Sequence, residues 1–517
     1  MKKTLRWLGC LSVMNLLACS LGSGPSAVSD RDKTADDSAP VEYLNIVKTA
    51  GLGSSLDPFP TSHGFRTPIP TLNDAEMEHH FKGDLLFERN FSDDPTRPEF
   101  GLGPVFNNTS CISCHNRDGR GSLPVGLQFS SWKKLTQNEA IFLRISIESP
   151  DILARTPTAE NHYNEPVPVP GFSGQLFHLG SYQLREDVPG LGQAAVWMKL
   201  EKSSFTYPDG QSVELIKPLF RVDNGYDQWL YGLEKSRLQN NDVRFSPRLG
   251  MPMFGLGLLE AIPEEDIIEQ SQKDFSAQGV HGSLNWVYDI GKAKEGIFPA
   301  RSLGRFGLKA NTPTILHQAL GALNGDMGVT NPWFPKESIL GTDLFKDYDR
   351  RIPQKNEIEA SEEISQALVF YSQTLAVPPR RNVEDLDVQA GAHLFQSVQC
   401  TTCHRPSWTT GFSPTHSLSR QKIYPFTDML LHDMGEGLAD HRQDFLADGR
   451  QWRTRPLWGI GLTQVVNPRA SYLHDGRARN LEEAILWHDG EARHSRDLFT
   501  RLPRSQRLQV IDFLRSL

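Results

Sequence analysis

Cysteine is scarce in this chain, with six in 517 residues. No basic run stands out and the net charge is −8, so the electrostatic footprint of a nucleic-acid binder is missing. Beyond the amino terminus, no apolar run approaches the length of a membrane-spanning helix. Met1-Lys-Lys-Thr-Leu-Arg, followed by an apolar run to Leu16-Leu-Ala-Cys19-Ser20, has the basic and hydrophobic regions of a secretory signal but is too short for a permanent span. Leu16-Leu-Ala-Cys19 resembles a bacterial lipobox, which makes residues 1–18 a lipoprotein signal peptide and Cys19 the lipidated first residue. An ordinary signal peptide cut slightly later is the alternative. Residues 19–50, rich in Ser, Asp and Gly, read as a flexible tether. The expected location is the periplasmic side of a bacterial outer membrane, held by the lipid anchor only.

Cys10 leaves with the signal and Cys19 carries lipid, so four cysteines remain. They form Cys111-Ile-Ser-Cys114-His115 and Cys400-Thr-Thr-Cys403-His404. In C-x-x-C-H two thiols can form thioethers to the vinyl groups of a haem, and the histidine after them is placed to ligate iron. One structural zinc site uses shorter spacing and needs no histidine after each pair. A thioredoxin-like dithiol wants a βαβ context that neither copy has. The motifs therefore specify two covalently bound haems c, with Cys111, Cys114, Cys400 and Cys403 as attachment points and His115 and His404 as iron ligands. No thiol is left for a disulfide or a cysteine nucleophile.

Two unequal copies of one module surround these motifs. Gly83-Asp-Leu-Leu86-Phe87 precedes the first and Gly391-Ala-His-Leu394-Phe395 the second. A glycine before a large apolar pair suits two closely crossing helices. Each copy closes on a helix: Ser361 caps one carrying Ile364, Leu368, Tyr371 and Leu375, and Leu508, Ile511, Leu514 and Leu517 stripe the other. Pro378-Pro379-Arg-Arg381 separates them. The expected fold is mainly α, with a first cytochrome c-like domain over 70–380 and a second over 383–517. The first carries a loop- and β-rich insertion over about 122–304 that covers or shapes its haem site. Within it, Ala195-Val-Trp-Met-Lys-Leu and Val213-Glu-Leu-Ile-Lys-Pro-Leu-Phe flank a Pro208-Asp-Gly210 turn and predict a hairpin.

The second iron ligand differs between copies. Asn480 caps a helix with Glu483 at N3 in a capping-box-like arrangement, and Asp489-Gly490 ends it. Leu481, Ala484, Ile485 and His488 share one face, making His488 the candidate distal ligand opposite His404. The matching helix runs from Thr312-Pro313 to Asn324-Gly325, which sets Leu323 opposite His488. Met327 and His317 remain candidate ligands for the first haem; the alternative is an iron left open for substrate.

Gly101-Leu-Gly-Pro-Val-Phe-Asn-Asn-Thr-Ser-Cys-Ile-Ser-Cys-His-Asn-Arg-Asp-Gly-Arg-Gly121, Leu431-His-Asp-Met-Gly-Glu-Gly-Leu-Ala-Asp440, Arg455-Pro-Leu-Trp-Gly-Ile-Gly-Leu462, Tyr472-Leu-His-Asp-Gly-Arg477 and Leu481-Glu-Glu-Ala-Ile-Leu-Trp-His488 resemble the di-haem oxidoreductase family. That family, sometimes labelled thiol oxidoreductases, is related to bacterial di-haem cytochrome c peroxidases, and the resemblance covers roughly residues 70–517. It implies an exported peroxidase-like enzyme, with peroxide or substrate chemistry at the first haem and electron relay through the second. Its implied partners are a small cytochrome, as electron donor or acceptor, and peroxide or another small molecule. Calcium is left open. The peroxidases usually carry Met at the position matching His488; His here lowers that haem's potential. Their distal Glu is loosely matched by Glu260 in Gly255-Leu-Gly-Leu-Leu-Glu-Ala-Ile-Pro263, whose bland alternative is a helix-capping carboxylate. Arg117 and Arg120 are candidate partners for haem propionates or developing charge. The thiol label finds no free cysteine to support it. An electron-transfer lipoprotein with two six-coordinate haems and a di-haem oxygenase acting on an organic substrate are the competing functions.

Overall fold

Asn73 opens the first long helix: its side chain accepts from the Glu76 amide while its own amide donates to the Glu76 carboxylate. This reciprocal box satisfies two amides that helix geometry leaves orphaned. The computed structural model describes residues 41–56, 61–94, 96–148, 165–181, 190, 192–339, 341–346 and 358–517. Six helices position the two sites: α1 (Asp74–Glu88), α2 (Ile315–Met327), α3 (Glu362–Thr374), α4 (Leu386–Ser397), α5 (Leu481–Leu486) and α6 (Arg504–Ser516).

The pairs α1–α3 and α4–α6 are two versions of one crossing. A Cβ on Gly83 would run into the Ala367 carbonyl oxygen and Tyr371 Cβ; one on Gly391 would run into the Gln509 carbonyl oxygen and Phe513 Cβ. Glycine is required because the partner backbone occupies the space of a side chain. Each crossing aims an aromatic pair at its motif. Phe87 lies 5.3 Å from Tyr371 and 6.1 Å from His115 between ring centroids. Phe395 lies 5.2 Å from Phe513 and 6.2 Å from His404. Ser361 caps α3 as the sequence predicts, accepting from Ile364 N at 3.3 Å.

The chain is nevertheless mixed α and β, at 33% helix and 18% strand. The mainly α expectation undercounted the insertion. Label its strands β1 (Lys133–Lys134), β2 (Ile141–Ile147), β3 (Gln175–Leu176), β4 (Ala195–Thr206), β5 (Ser212–Asp223) and β6 (Val243–Leu249). They form two antiparallel sheets, ordered β1-β4-β5 and β3-β2-β6. In β2 one face buries Ile141, Leu143 and Ile145, and the period of two puts Arg144 on the other. Register sets Arg144 beside Gln175 on one side and Ser246 on the other.

The predicted hairpin exists and is longer than expected: Ala195 pairs with Asp223 and Thr206 with Ser212. Its tip does not cover the first motif. It reaches the second half, where Tyr207 donates to Glu482 at 2.7 Å and Arg507 to Asp209 at 2.8 Å.

The largest apolar cluster joins both copies. Leu86, Phe87, Leu323, Leu368 and Tyr371 pack in the same core as Trp408, Met429, Leu430, Trp458 and Leu462. The insertion has a core of its own, against which Cys114 packs. Residues 43–50, expected in the tether, are instead laid on the body. Tyr43 and Ala50 are buried, Arg380 N donates to Val47 O, and Thr49 bonds Pro378 O. The expected signal peptide, Cys19 and the expected tether up to residue 40 lie outside the described residues. Among the described residues, no helix is long and apolar enough to cross a membrane.

Candidate functional site

Each C-x-x-C-H motif makes a single tight turn, with His115 N bonding Cys111 O and His404 N bonding Cys400 O, both at 2.9 Å. The histidine ring is then fixed from behind. His115 Nδ1 meets the Met251 carbonyl, and His404 Nδ1 meets the Phe426 carbonyl at 3.0 Å. A carbonyl partner makes Nδ1 the N–H donor and leaves the Nε2 lone pair for a metal. Burial lowers the pKa of both, His404 to about 4, so both rings are held neutral, the form that ligates.

All four cysteines are unbridged. Burial pushes their pKa up, Cys114 and Cys400 each to about 12. Dithiol redox chemistry needs the opposite shift. The two pairs do not converge on one zinc site either. Among the described residues, the one metal-type cluster is Cys403, Asp428 and His432. His432 there is already engaged through both nitrogens, with Asp428 at 2.8 Å and Glu491 at 2.7 Å.

A single cavity is lined by Cys400, Cys403, His404 and His488. His488 Nδ1 bonds Ala484 O at 2.7 Å, which again leaves Nε2 free toward the cavity. The predicted cap is present, Glu483 N donating to Asn480 Oδ1 at 2.9 Å, but the box is not. The Glu483 carboxylate takes the Arg479 amide at 2.9 Å instead. The helix is also shorter than expected: α5 ends at Leu486, and His488 sits in the turn beyond, its amide on Ile485 O. His474, which also lines the cavity, stacks on Trp452 with ring centroids 4.1 Å apart.

The first site differs. Helix α2 does not stop at Asn324-Gly325; its left-handed cap is Gly328, with φ 72°. The last turn thus extends past the expected end and carries Asp326. Leu323 and Met327 pack with Leu320 in the main apolar core, which places the Met327 candidate in that stripe. His317 is nine residues from Asp326, on the opposite helix face, against Tyr288 and Phe334.

Asp326 is the α2 residue whose charge reaches the motif: its carboxyl acts on Cys111, Cys114 and His115. Gln175 donates to Asp326 Oδ1 at 2.6 Å, Asn107 supports Gln175, and the Arg144 charge stands nearby. Burial raises the Asp326 pKa while Arg144 and Gln175 oppose the rise.

Glu260 takes the structural alternative. Its two oxygens accept from Ile315 N and Gln373 Nε2, both at 2.7 Å, so it caps the start of α2. Asp326 escaped the sequence reading because Asn-Gly looked like a helix stop. Its available signal was Gly328, a better-placed left-handed cap.

Of the two arginines after the first motif, Arg117 reaches Val466 O at 3.3 Å. Arg120 is buried and donates to the carbonyls of Ser471 and Leu473. It lines the same cavity as His404, as do Met251, Arg453 and Arg455. The cavity of the second motif therefore extends to the residue that supports His115. Cysteine pairs, neutral histidines with free Nε2, apolar walls and buried cations are the donor set a haem with acidic side arms requires.

A family model described as "Di-haem oxidoreductase, putative peroxidase" matches residues 43–517. No curated protein matches the chain.

Proposed function

The chain belongs to the di-haem oxidoreductase family, and on that basis we propose that it is an exported, lipid-anchored c-type enzyme that reduces peroxide. Cys111, Cys114 and His115 would hold one haem, and Cys400, Cys403, His404 and His488 the other. The repeated α1–α3 and α4–α6 crossings support reading each motif as the centre of a cytochrome c-like domain. When bound, the haems supply peroxide reduction at the His115 site and electron passage at the His404 site. The observation that carries this reading is the shared posture of His115 and His404, each with Nδ1 on a backbone carbonyl and Nε2 unengaged.

The two sites divide the labour through their second faces. His488 closes the His404 site, leaving it to carry electrons. At the His115 site α2 offers a carboxyl. Reducing one hydrogen peroxide to two waters consumes two electrons and two protons. Asp326, its pKa raised by burial, can take a proton from one peroxide oxygen and return it to the other. Gln175 and Arg144 hold and orient that carboxyl. The electrons come from a small cytochrome outside the chain.

Two measurements on the mature, full-length protein test this. Intact mass after denaturation should exceed the processed polypeptide by two haems, because thioethers survive unfolding. Mixing the protein with a reduced small cytochrome c and peroxide should oxidise the cytochrome only when both are present. One haem, bound zinc, or no peroxide-dependent oxidation would contradict the proposal.

A further inference from the structure

Among the described residues, the wall between the two sites carries more positive charge than the nearby carboxylates balance. Arg120, Arg453 and Arg455 line the same cavity, and the charge of Arg455 reaches both His115 and the other two arginines. Arg120 spends its donors on the carbonyls of Ser471 and Leu473 and on Met251 Sδ. Arg453 donates to Gly307 O and to Met429 Sδ. These acceptors are neutral. Two carboxylates stand close by, and both are committed: Asp428 bonds His432, and Asp475 pairs with Arg477 at 2.8 Å. Among the described residues, the charges that act on Arg455 are those of Arg453 and Arg120, and its Nε is buried without a hydrogen-bond partner. The Arg455 side chain is half-buried on the cavity wall; a desolvated guanidinium N–H without an acceptor is costly, and the planar fork of Arg suits a carboxylate.

We propose that Arg455, with Arg120 and Arg453 behind it, is the carboxylate site that receives haem propionate between the two motifs and sets the haem potentials. The inference rests on the di-haem reading above. Each haem brings two propionates, the anionic groups at its rim. The assignment places a fixed positive charge beside the porphyrin edge. That charge favours the electron-rich reduced state, so Arg455 is a positioning and tuning residue that touches neither peroxide nor iron.

Spectroelectrochemical titration of the full-length, haem-loaded protein tests it. Arg455→Gln should make the reduction of at least one haem about tenfold less favourable, which for one electron is a fall of ~59 mV. Arg455→Lys, which keeps the charge, should recover most of it. A haem-loaded Arg455→Gln protein with both midpoints unchanged overturns the inference. So does added acetate that binds the haem-loaded parent in an Arg455-dependent way without moving either midpoint, because the site would then serve free carboxylates. If Arg455→Gln takes up no haem while Arg455→Lys does, the requirement for charge is upheld. If neither loads, Arg453→Gln titrated in the same way decides by the same shift. Absence of haem from the parent would instead contradict the di-haem reading itself, so the two failures are distinguishable.

Discussion

Asp326 and Glu260 are both half-buried carboxyls whose pKa is raised by desolvation, yet they have different work. Glu260 has its oxygens fixed by Ile315 N and Gln373, so protonating it would break a helix cap. Asp326 keeps one oxygen on Gln175, and its charge acts on Cys114 and His115 of the first motif. Asp326→Asn should slow peroxide turnover by roughly 10²-fold or more, the usual weight of a positioned proton carrier, with the ferric spectrum of the haem retained. Stopped-flow mixing with peroxide checks it; a rate within twofold of the parent contradicts the assignment. Asp118 bears on stability instead. Burial lifts its pKa to about 7 even though Tyr371 donates to it at 2.6 Å and Arg66 lies near. The folded state thus keeps a proton that the unfolded chain releases near the ordinary aspartate value of 3.8. Stability from this group falls as pH rises from about 4 to about 7, by up to ~4 kcal/mol, and the penalty then persists. Thermal unfolding of Asp118→Asn should therefore gain on the parent across that window. A difference in Tm that stays flat with pH would contradict it.

Among the elements, the two glycine crossings were readable in advance and the insertion was not. Gly83 and Gly391 announced themselves because each stands just ahead of a large apolar pair and a C-x-x-C-H motif, and a close crossing admits no other residue. Since an added methyl at either would meet a partner carbonyl oxygen, Gly83→Ala and Gly391→Ala should each cost about 3 kcal/mol, the upper part of the overpacking range. Denaturant titration measures this, and a loss under ~0.5 kcal/mol would mean the helices can move apart freely. The ends of α2 and α5 were misjudged by one to three residues, and that mattered. His488 still lines the cavity of the second motif from the turn after Leu486, whereas Asp326 came into view only once α2 ran on to Met327. Strand register explains the rest. Nothing local in Arg144 or Gln175 marks them, because they become neighbours only through pairing of β2 with β3, far apart in the chain. Arg455 stood inside a recognised motif, but its lack of a counter-charge is a property of the folded wall.

For the molecule as a whole, the two copies share one apolar core, and the insertion hairpin fastens onto Glu482 and Arg507 in the second half. One cavity runs from His488 to Met251, the residue behind His115. This continuity joins the surroundings of two sites that differ in their second faces. His488 confronts His404 across the cavity, while α2 offers the His115 site a carboxyl and an apolar stripe. The electron paramagnetic resonance spectrum of the fully oxidised, haem-loaded protein tests that difference directly. The account predicts one low-spin haem with two histidine ligands and one high-spin haem, with added cyanide converting only the high-spin signal. Two low-spin signals that ignore cyanide would make the protein an electron carrier and contradict the account.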